Sequence, residues 1–301
     1  VMAETDRWES TGFGVGKSGA ADFDLSRDLQ VYSAALELEA YPRFGPGLVL
    51  GAAYHGQDRA GSGLSSDYSL LVGAYRDLVA DTRLRASWAR KVRFPSIRQL
   101  YDVTAGNLDL AAETTLHYEV GVERRLGARG AASVAAFQTD ARDFIEKDGS
   151  GFYQNYEKYL FRGVEVAAEG RAVPALFLRG SYAYLHSEDQ TGGGGREDLQ
   201  YRPRHKLGGE ASYRFAFGLM PYLSLVRVAG QYTYDNDDKE PLQKRKLGDY
   251  TLVDARLRQD LLGGQVQVNV GVDNLLDADY EQSYGLPQSG RTLYGGVRYP
   301  F

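Results

Sequence analysis

The chain contains no cysteine in its 301 residues. Disulfide frameworks, thiolate zinc sites and thiol chemistry are therefore excluded. Histidine is scarce too: His55, His117, His186 and His205 are the only four, and no two stand at metal-ligand spacing. The sequence gives no reason to expect a bound metal or other cofactor. No run approaches ~18 consecutive apolar residues, so no helix is long and apolar enough to cross a bilayer. Neither charge sign dominates, with 35 Lys+Arg against 40 Asp+Glu, which argues against nucleic acid as the main partner. With 43% hydrophobic and 12% aromatic residues, the composition is not that of a disordered chain. No secretory leader is legible after Val1, where Glu4, Asp6, Arg7 and Glu9 follow at once.

What is abundant is glycine, 36 residues, and tyrosine, 22 against 12 Phe and 2 Trp. Both point to β structure. The dominant period is two rather than 3.6. In 114–126, Leu116, Tyr118, Val120 and Val122 share one face, while His117, Glu119, Gly121, Glu123 and Arg125 share the other. In 82–93, Leu84, Ala86, Trp88 and Val92 alternate with Arg83, Arg85, Ser87 and Lys91; in 264–274, Val266, Val268, Val270 and Val272 alternate with polar residues. About fourteen such segments follow one another, near 3–15, 28–41, 47–55, 64–77, 82–93, 114–126, 130–141, 159–170, 175–187, 201–216, 220–234, 248–260, 264–276 and 291–301. No amphipathic helix and no linker interrupts them. The chain reads as one domain, 1–301, an antiparallel meander.

The connections alternate in length. Short ones lie near 41–47, 77–81, 126–130, 170–175, 216–220 and 260–264; long, polar ones near 16–28, 55–64, 93–113, 141–158, 187–201, 234–248 and 276–290. A meander with all its long loops at one end predicts an all-β, antiparallel up-and-down transmembrane β-barrel. Its apolar faces would meet outer-membrane lipid, with girdle aromatics such as Tyr182, Tyr184, Tyr232, Tyr234 and Tyr299 near strand ends. A soluble β-barrel or sandwich also alternates, but has no reason to sort its loops. The chain closes with Gly296, Tyr299 and a terminal Phe301. That pattern resembles the insertion signal of bacterial outer-membrane barrels, which implies the barrel assembly machinery as a partner; an ordinary edge strand bearing Pro300 is the bland reading. With the signal at the periplasmic rim, every short connection is periplasmic and every long one external.

Three stretches resemble the TonB-dependent outer-membrane receptors, the importers of ferric siderophores, haem and cobalamin. The first is Val92-Arg93-Phe94-Pro95-Ser96-Ile97-Arg98-Gln99-Leu100-Tyr101, continued by Gly106-Asn107-Leu108-Asp109-Leu110-Ala111-Ala112-Glu113-Thr114 and Tyr118-Glu119-Val120-Gly121. The second is Phe161-Arg162-Gly163-Val164-Glu165; the third is Val272-Asp273-Asn274-Leu275-Leu276-Asp277-Ala278-Asp279-Tyr280 with Gly290-Arg291-Thr292. The resemblance covers most of 80–301 in the family's order. It implies an outer-membrane receptor that binds an extracellular metal chelate and imports it with TonB-coupled energy. It also implies a plug domain, a segment engaging the TonB complex and a barrel of twenty-two strands. None of these is complete here, so the expectation is the C-terminal portion of such a barrel. Residues 96–106 hold no histidine, which disfavours haem and leaves a ferric siderophore by elimination.

Rigid aromatics beside guanidinium groups suit a planar, anionic chelate. The candidates on or beside the outer loops are Arg93, Arg98, Tyr101, Tyr153, Tyr156, Tyr159, Arg196, Tyr201, Arg204 and Tyr284. Arg83, Arg85, Lys91 and Arg93 form a basic stripe on the inward face. It is either an electrostatic funnel for an anion or a set of partners for carboxylates. Gly16-Lys17-Ser18 lacks the first glycine of a phosphate loop and reads as a plain loop. His117 and His186-Ser187 show no triad, so no enzyme is expected. Two other readings stay open: a passive fourteen-strand diffusion channel, and a soluble glycan-binding module.

Overall fold

The computed structural model describes residues 2–16, 19–59, 63–78, 81–148, 150–190, 198–234 and 243–299, with side chains from residue 26 onward except residue 157. In chain order the strands are β1 (Met2–Gly16), β2 (Gly19–Ala40), β3 (Gly47–Arg59), β4 (Gly63–Asp77), β5 (Thr82–Arg93), β6 (Glu113–Arg125), β7 (Gly130–Lys147), β8 (Tyr153–Val173) and β9 (Leu176–Asp189). They continue as β10 (His205–Tyr213), β11 (Leu219–Ala229), β12 (Tyr232–Tyr234), β13 (Lys244–Lys246), β14 (Tyr250–Leu261), β15 (Val266–Asp273), β16 (Glu281–Ser283), β17 (Leu286–Pro287) and β18 (Thr292–Arg298). Fourteen of them form one sheet in the order β1-β2-β3-β4-β5-β6-β7-β8-β9-β10-β11-β14-β15-β18. Every neighbouring pair is antiparallel, so the meander is as the sequence predicts. β1 and β18 are its two edges. They do not pair with each other, so the barrel is not closed, and a self-contained fourteen-strand channel is not what these strands build.

Register makes the faces continuous. Leu84 opposes Val122, Val122 opposes Val134, Val134 opposes Val166, Val166 opposes Tyr182 and Tyr182 opposes Leu207. One rung of the other face runs Glu123, Ser133, Ala167, Ser181, Gly208. The apolar face is the exposed one: Leu36 and Leu293 are each 76% accessible and Val297 71%. In water such a face would be a large aggregation liability; in a bilayer it is the solvent-matched side. Aromatics close this face toward the long loops, with Tyr54 opposite Tyr68 and Trp88 opposite Tyr118. Tyr182 holds His205 Nδ1 at 2.8 Å. Side chains of the inner face are mutually paired: Arg83 with Asp77, Arg85 with Glu119 and Glu123, Arg179 with Glu169 and Glu210.

Glycine has a specific use on the inner face. A Cβ on Gly271 would fall inside the ring of Tyr294, and one on Gly47 inside the ring of Tyr75. The rings lie flat on bare backbone across the ladder. Arg256 then donates to the Tyr294 hydroxyl from Nε and Nη2 at 3.2 and 3.1 Å.

The strands differ from expectation mainly at their outer ends. Residues 19–28, 142–147 and 153–158 were expected in loops but lie in β2, β7 and β8. Alternation fades where neither face meets lipid, but the ladder of backbone hydrogen bonds continues. Conversely, residues 201–204 precede β10, and 232–234 leave the sheet to form a hairpin with 244–246. A short helix, α1 (Ile97–Tyr101), stands where no helix was expected. Its one and a half turns are too few to show a 3.6 period.

The faces yield a direct test. Val120→Arg, at mid-height on the apolar face, is expected to cost about 2–4 kcal/mol in urea unfolding of the full-length protein in phospholipid bilayers. Ser133→Arg, on the inner face, is expected to change stability by less than about 1 kcal/mol.

Candidate functional site

The long connections gather at one end of the sheet and are packed together. After β5, Pro95 stops the ladder and Ser96 caps α1 in a reciprocal capping box with Gln99. The helix buries Ile97, Leu100 and Tyr101 against Leu29, Leu110 and Ile145, with Tyr153 packed alongside. Side chains from neighbouring strands then bind the loop's backbone. Gln57 donates to the Pro95 carbonyl at 2.9 Å and Arg59 to the Leu110 carbonyl at 2.9 Å. Asn107 donates to the Tyr153 carbonyl at 2.9 Å, and Asn155 both accepts from Ala111 N at 2.9 Å and donates to the Ala111 carbonyl at 3.2 Å. Gly106 is required, since a Cβ there would strike the backbone of Leu100 and Asp102.

Two carboxylates anchor this loop. Glu113 is buried, receives both Arg93 Nε at 2.6 Å and Arg93 Nη2, and accepts Ile145 N at 2.8 Å. It ties β5, β6 and β7 together at the loop's base. Asp102 Oδ1 accepts the Thr104 hydroxyl at 2.7 Å and the amides of Thr104 and Ala105 at 2.9 and 3.1 Å. The Thr104 hydroxyl bond, then the Thr104 amide, hold its carboxyl down at about 2.

Next to this loop, on β7 and β8, lies a second packed group. Asp198 pairs with Arg204 at 2.9 Å and with Lys244. Burial pushes its carboxyl up, but Lys244 and Arg204 outweigh this and hold it below its ordinary value. Its carbonyl accepts the Tyr234 hydroxyl at 2.8 Å, and Thr233 donates to the Tyr201 hydroxyl at 2.9 Å. Leu199 inserts beside Ala141 and Tyr159, with Phe144, Tyr156 and Phe161 around them. This seats the 198–204 segment on β7 and β8. At the end of β15, Asn274 in the left-handed region (φ 50) accepts Ala278 N and donates to the Ala278 carbonyl, both at 2.9 Å. Asp277 (φ 53) accepts Arg291 N at 2.8 Å, and Arg291 donates back to the Leu275 carbonyl at 3.0 Å. The Asn-Leu-Leu-Asp…Gly-Arg stretch is thus a knot that fixes both ends of the 274–291 connection.

The ten candidates fall into distinct environments. Tyr101 and Tyr159 are buried, at 7% and 0% accessibility, and serve the scaffold of the rim rather than its surface. Tyr153 and Tyr156 flank those clusters. Arg93 and Arg204 are engaged by Glu113 and Asp198. Tyr201 takes a left-handed turn (φ 57). Arg98 stays exposed, with Asp102 at 3.3 Å. Tyr284 is exposed and receives Arg245 Nη1 at 2.8 Å. Arg196 and Phe301 lie outside the described residues, as do Lys17 and Ser18; Gly296 and Tyr299 flank the end of β18. Three members of the inward basic stripe are paired: Asp77 meets Arg83, Glu119 and Glu123 meet Arg85, and Glu113 meets Arg93, whereas Lys91 has no such partner among the described residues. Residues the sequence did not single out are Gln57, Arg59, Asp198, Leu199, Lys244 and Arg245. Each works by contact with a distant loop, for which a linear pattern carries no signal.

Residues 16–275 match the family described as TonB dependent receptor-like, beta-barrel. The chain belongs to this family. Among known members, it is 33% identical over 148 residues, 46% of this chain and 19% of that protein, to the Ferrichrome outer membrane transporter/phage receptor of Escherichia coli (strain K12). It is 22% identical over 298 residues, 98% of this chain and 45% of that protein, to the Vitamin B12 transporter BtuB of Vibrio cholerae. Among solved structures, the ferripyoverdine receptor of Pseudomonas aeruginosa superposes with a TM-score of 0.78 at 18% identity, covering 99% of this chain and 44% of that one. The copper transporter OprC superposes at 0.75, also at 18% identity, covering 99% and 53%. The chain spans less than half the length of these curated relatives. The ferrichrome transporter and the ferripyoverdine receptor are outer-membrane proteins, and this TonB-dependent receptor barrel, with its exposed apolar face, is an outer-membrane barrel.

Two outcomes test the anchoring. Glu113→Gln is expected to weaken the rim by about 1–3 kcal/mol, read as faster protease cleavage within 94–112 with the sheet intact. The Asp102 carboxyl is depressed below the ~3.9 of an unfolded chain, so its contribution is complete above that value and is lost as pH falls toward about 2. Protection of the Thr104 and Ala105 amides, corrected for intrinsic exchange, should therefore drop between pH 4 and 2. In Asp102→Asn it should already be low at pH 7.

Proposed function

We propose that this chain is part of a TonB-coupled importer whose outer rim captures an extracellular metal chelate, a ferric siderophore being the substrate class. The observation that carries the reading is a set of cation–aromatic pairs on the outer loops of a TonB-dependent receptor barrel. Lys244 Nζ lies 4.3 Å from the Tyr232 ring centroid, Lys147 Nζ 5.0 Å from Tyr153 and the Arg245 guanidinium 5.5 Å from Tyr284. Such pairs offer flat π faces next to positive charge, which matches an anionic chelate carrying planar groups. Arg98 adds an exposed fork for carboxylate or similar oxygens. The work is recognition and gated passage, with no covalent step. The names of the relatives support the reading, since ferrichrome and ferripyoverdine are iron chelates, although vitamin B12 and copper also occur among them.

The two free edges support a reading of the domain organisation. β1 and β18 need partners in lipid, and the matched relatives are about twice as long. Residues 1–301 then form a portion of a larger barrel, whose remaining strands, plug and TonB-engaging segment complete the importer. The assembly machinery that reads Gly296, Tyr299 and Phe301 would insert it.

The full-length receptor should bind a ferric siderophore saturably, with iron uptake dependent on TonB. Replacing both Arg98 and Tyr284 by alanine should weaken binding by about ten-fold or more. Non-saturating, TonB-independent uptake would remove the proposal.

A further inference from the structure

Arginines are frequent at the short-loop end of the sheet. Several on the inner face and in the turns meet carboxylates: Arg83 with Asp77, Arg179 with Glu169, and Arg125 with Asp81 at 2.7 Å. Arg76, near the end of β4, and Arg124, near the end of β6, stand on the apolar outer face and are exposed. Neither has an ion-pair partner among the described residues.

Register brings these two together. Arg76 opposes Leu84 on β5, and Arg124 opposes Thr82 on the same strand. Leu84 in turn opposes Val122. The two arginines therefore flank β5, two strand spacings and one same-face step apart, about 12 Å between Cα atoms. Both side chains are long enough to meet between them. Directly toward mid-membrane lie the exposed apolar residues Leu84, Val122 and Val120, and in the adjoining turns Leu78 and Leu126. Two cations thus sit where the apolar face ends, with no ion-pair partner among the described residues. Guanidinium forks match phosphate oxygens well, and an unpaired charge beside hydrocarbon is costly unless it finds such a partner.

We propose that Arg76 and Arg124 form a headgroup site for one anionic phospholipid of the periplasmic leaflet. Its phosphodiester lies between the two guanidinium groups and its acyl chains run along Leu84, Val122 and Val120. The site is independent of the outer rim and of whichever chelate is carried.

The test is native mass spectrometry of the full-length receptor in detergent, titrated with phosphatidylglycerol, phosphatidylcholine or lipid A. Wild type should retain phosphatidylglycerol in preference to phosphatidylcholine. Arg76→Gln/Arg124→Gln should weaken that retention about ten- to thirty-fold, and Arg76→Lys/Arg124→Lys should restore part of it. Arg43→Gln, in the turn between β2 and β3, should leave it unchanged. Folding of each variant is checked by its heat-modified mobility on a gel. Equal retention by the folded double glutamine variant would overturn the proposal, as would the absence of any preference over phosphatidylcholine, which would mean that both side chains simply reach water. Stronger retention of lipid A through the same two arginines would also overturn it, by assigning the site to the other leaflet's lipid.

Discussion

Hydrocarbon accepts and donates no hydrogen bonds. Every peptide group at membrane depth must therefore find its partner in the protein, and a β-strand can do so only with strands on both sides. The antiparallel ladder from β1 to β18 is the answer to that demand, and the rest of the structure depends on it. Because the ladder uses all the backbone groups, side chains are left to match two different solvents. One face becomes continuous Leu, Val and Tyr, and the other a lattice of Arg–Glu and Arg–Asp pairs with glycine–tyrosine contacts. The same constraint makes the free edges of the sheet untenable by themselves in lipid.

Where the ladder ends, the demand is met differently. Connections at the outer end are long, and their carbonyls and amides are met by side chains that reach over from other strands. Gln57 and Arg59 serve Pro95 and Leu110, Asn155 serves Ala111, and Asn274 serves Ala278. These contacts, with the two aromatic clusters around α1 and Tyr159, fix the described parts of these loops into a rim. A fixed rim loses little conformational entropy when a ligand arrives.

The fold was legible because lipid imposes its period directly on the sequence. The run Leu116, Tyr118, Val120, Val122 and the run Val266 to Val272 each mark a strand and its lipid-facing side. The outer extensions of β2, β7 and β8 were not legible, since a strand wet on both faces has no alternation to read. Of the candidates picked by residue type and loop position, Arg98 and Tyr284 lie exposed. Tyr159 was chosen on the same grounds but lies buried, because loop membership does not show which way a loop folds. Glu113 stands in a motif that does not disclose its role, which depends on the amide of Ile145 on β7. The funnel or pairing alternative for Arg83 and Arg85 could be decided only once register set Asp77, Glu119 and Glu123 beside them.

β8 runs for 21 residues and β7 for 18, whereas a tilted strand crosses the hydrocarbon in about ten. The surplus stands outside the bilayer as a stiff palisade, roughly 30 Å of strand on β8 before tilt. Rigid sheet, not flexible loop, therefore carries the rim away from the membrane surface.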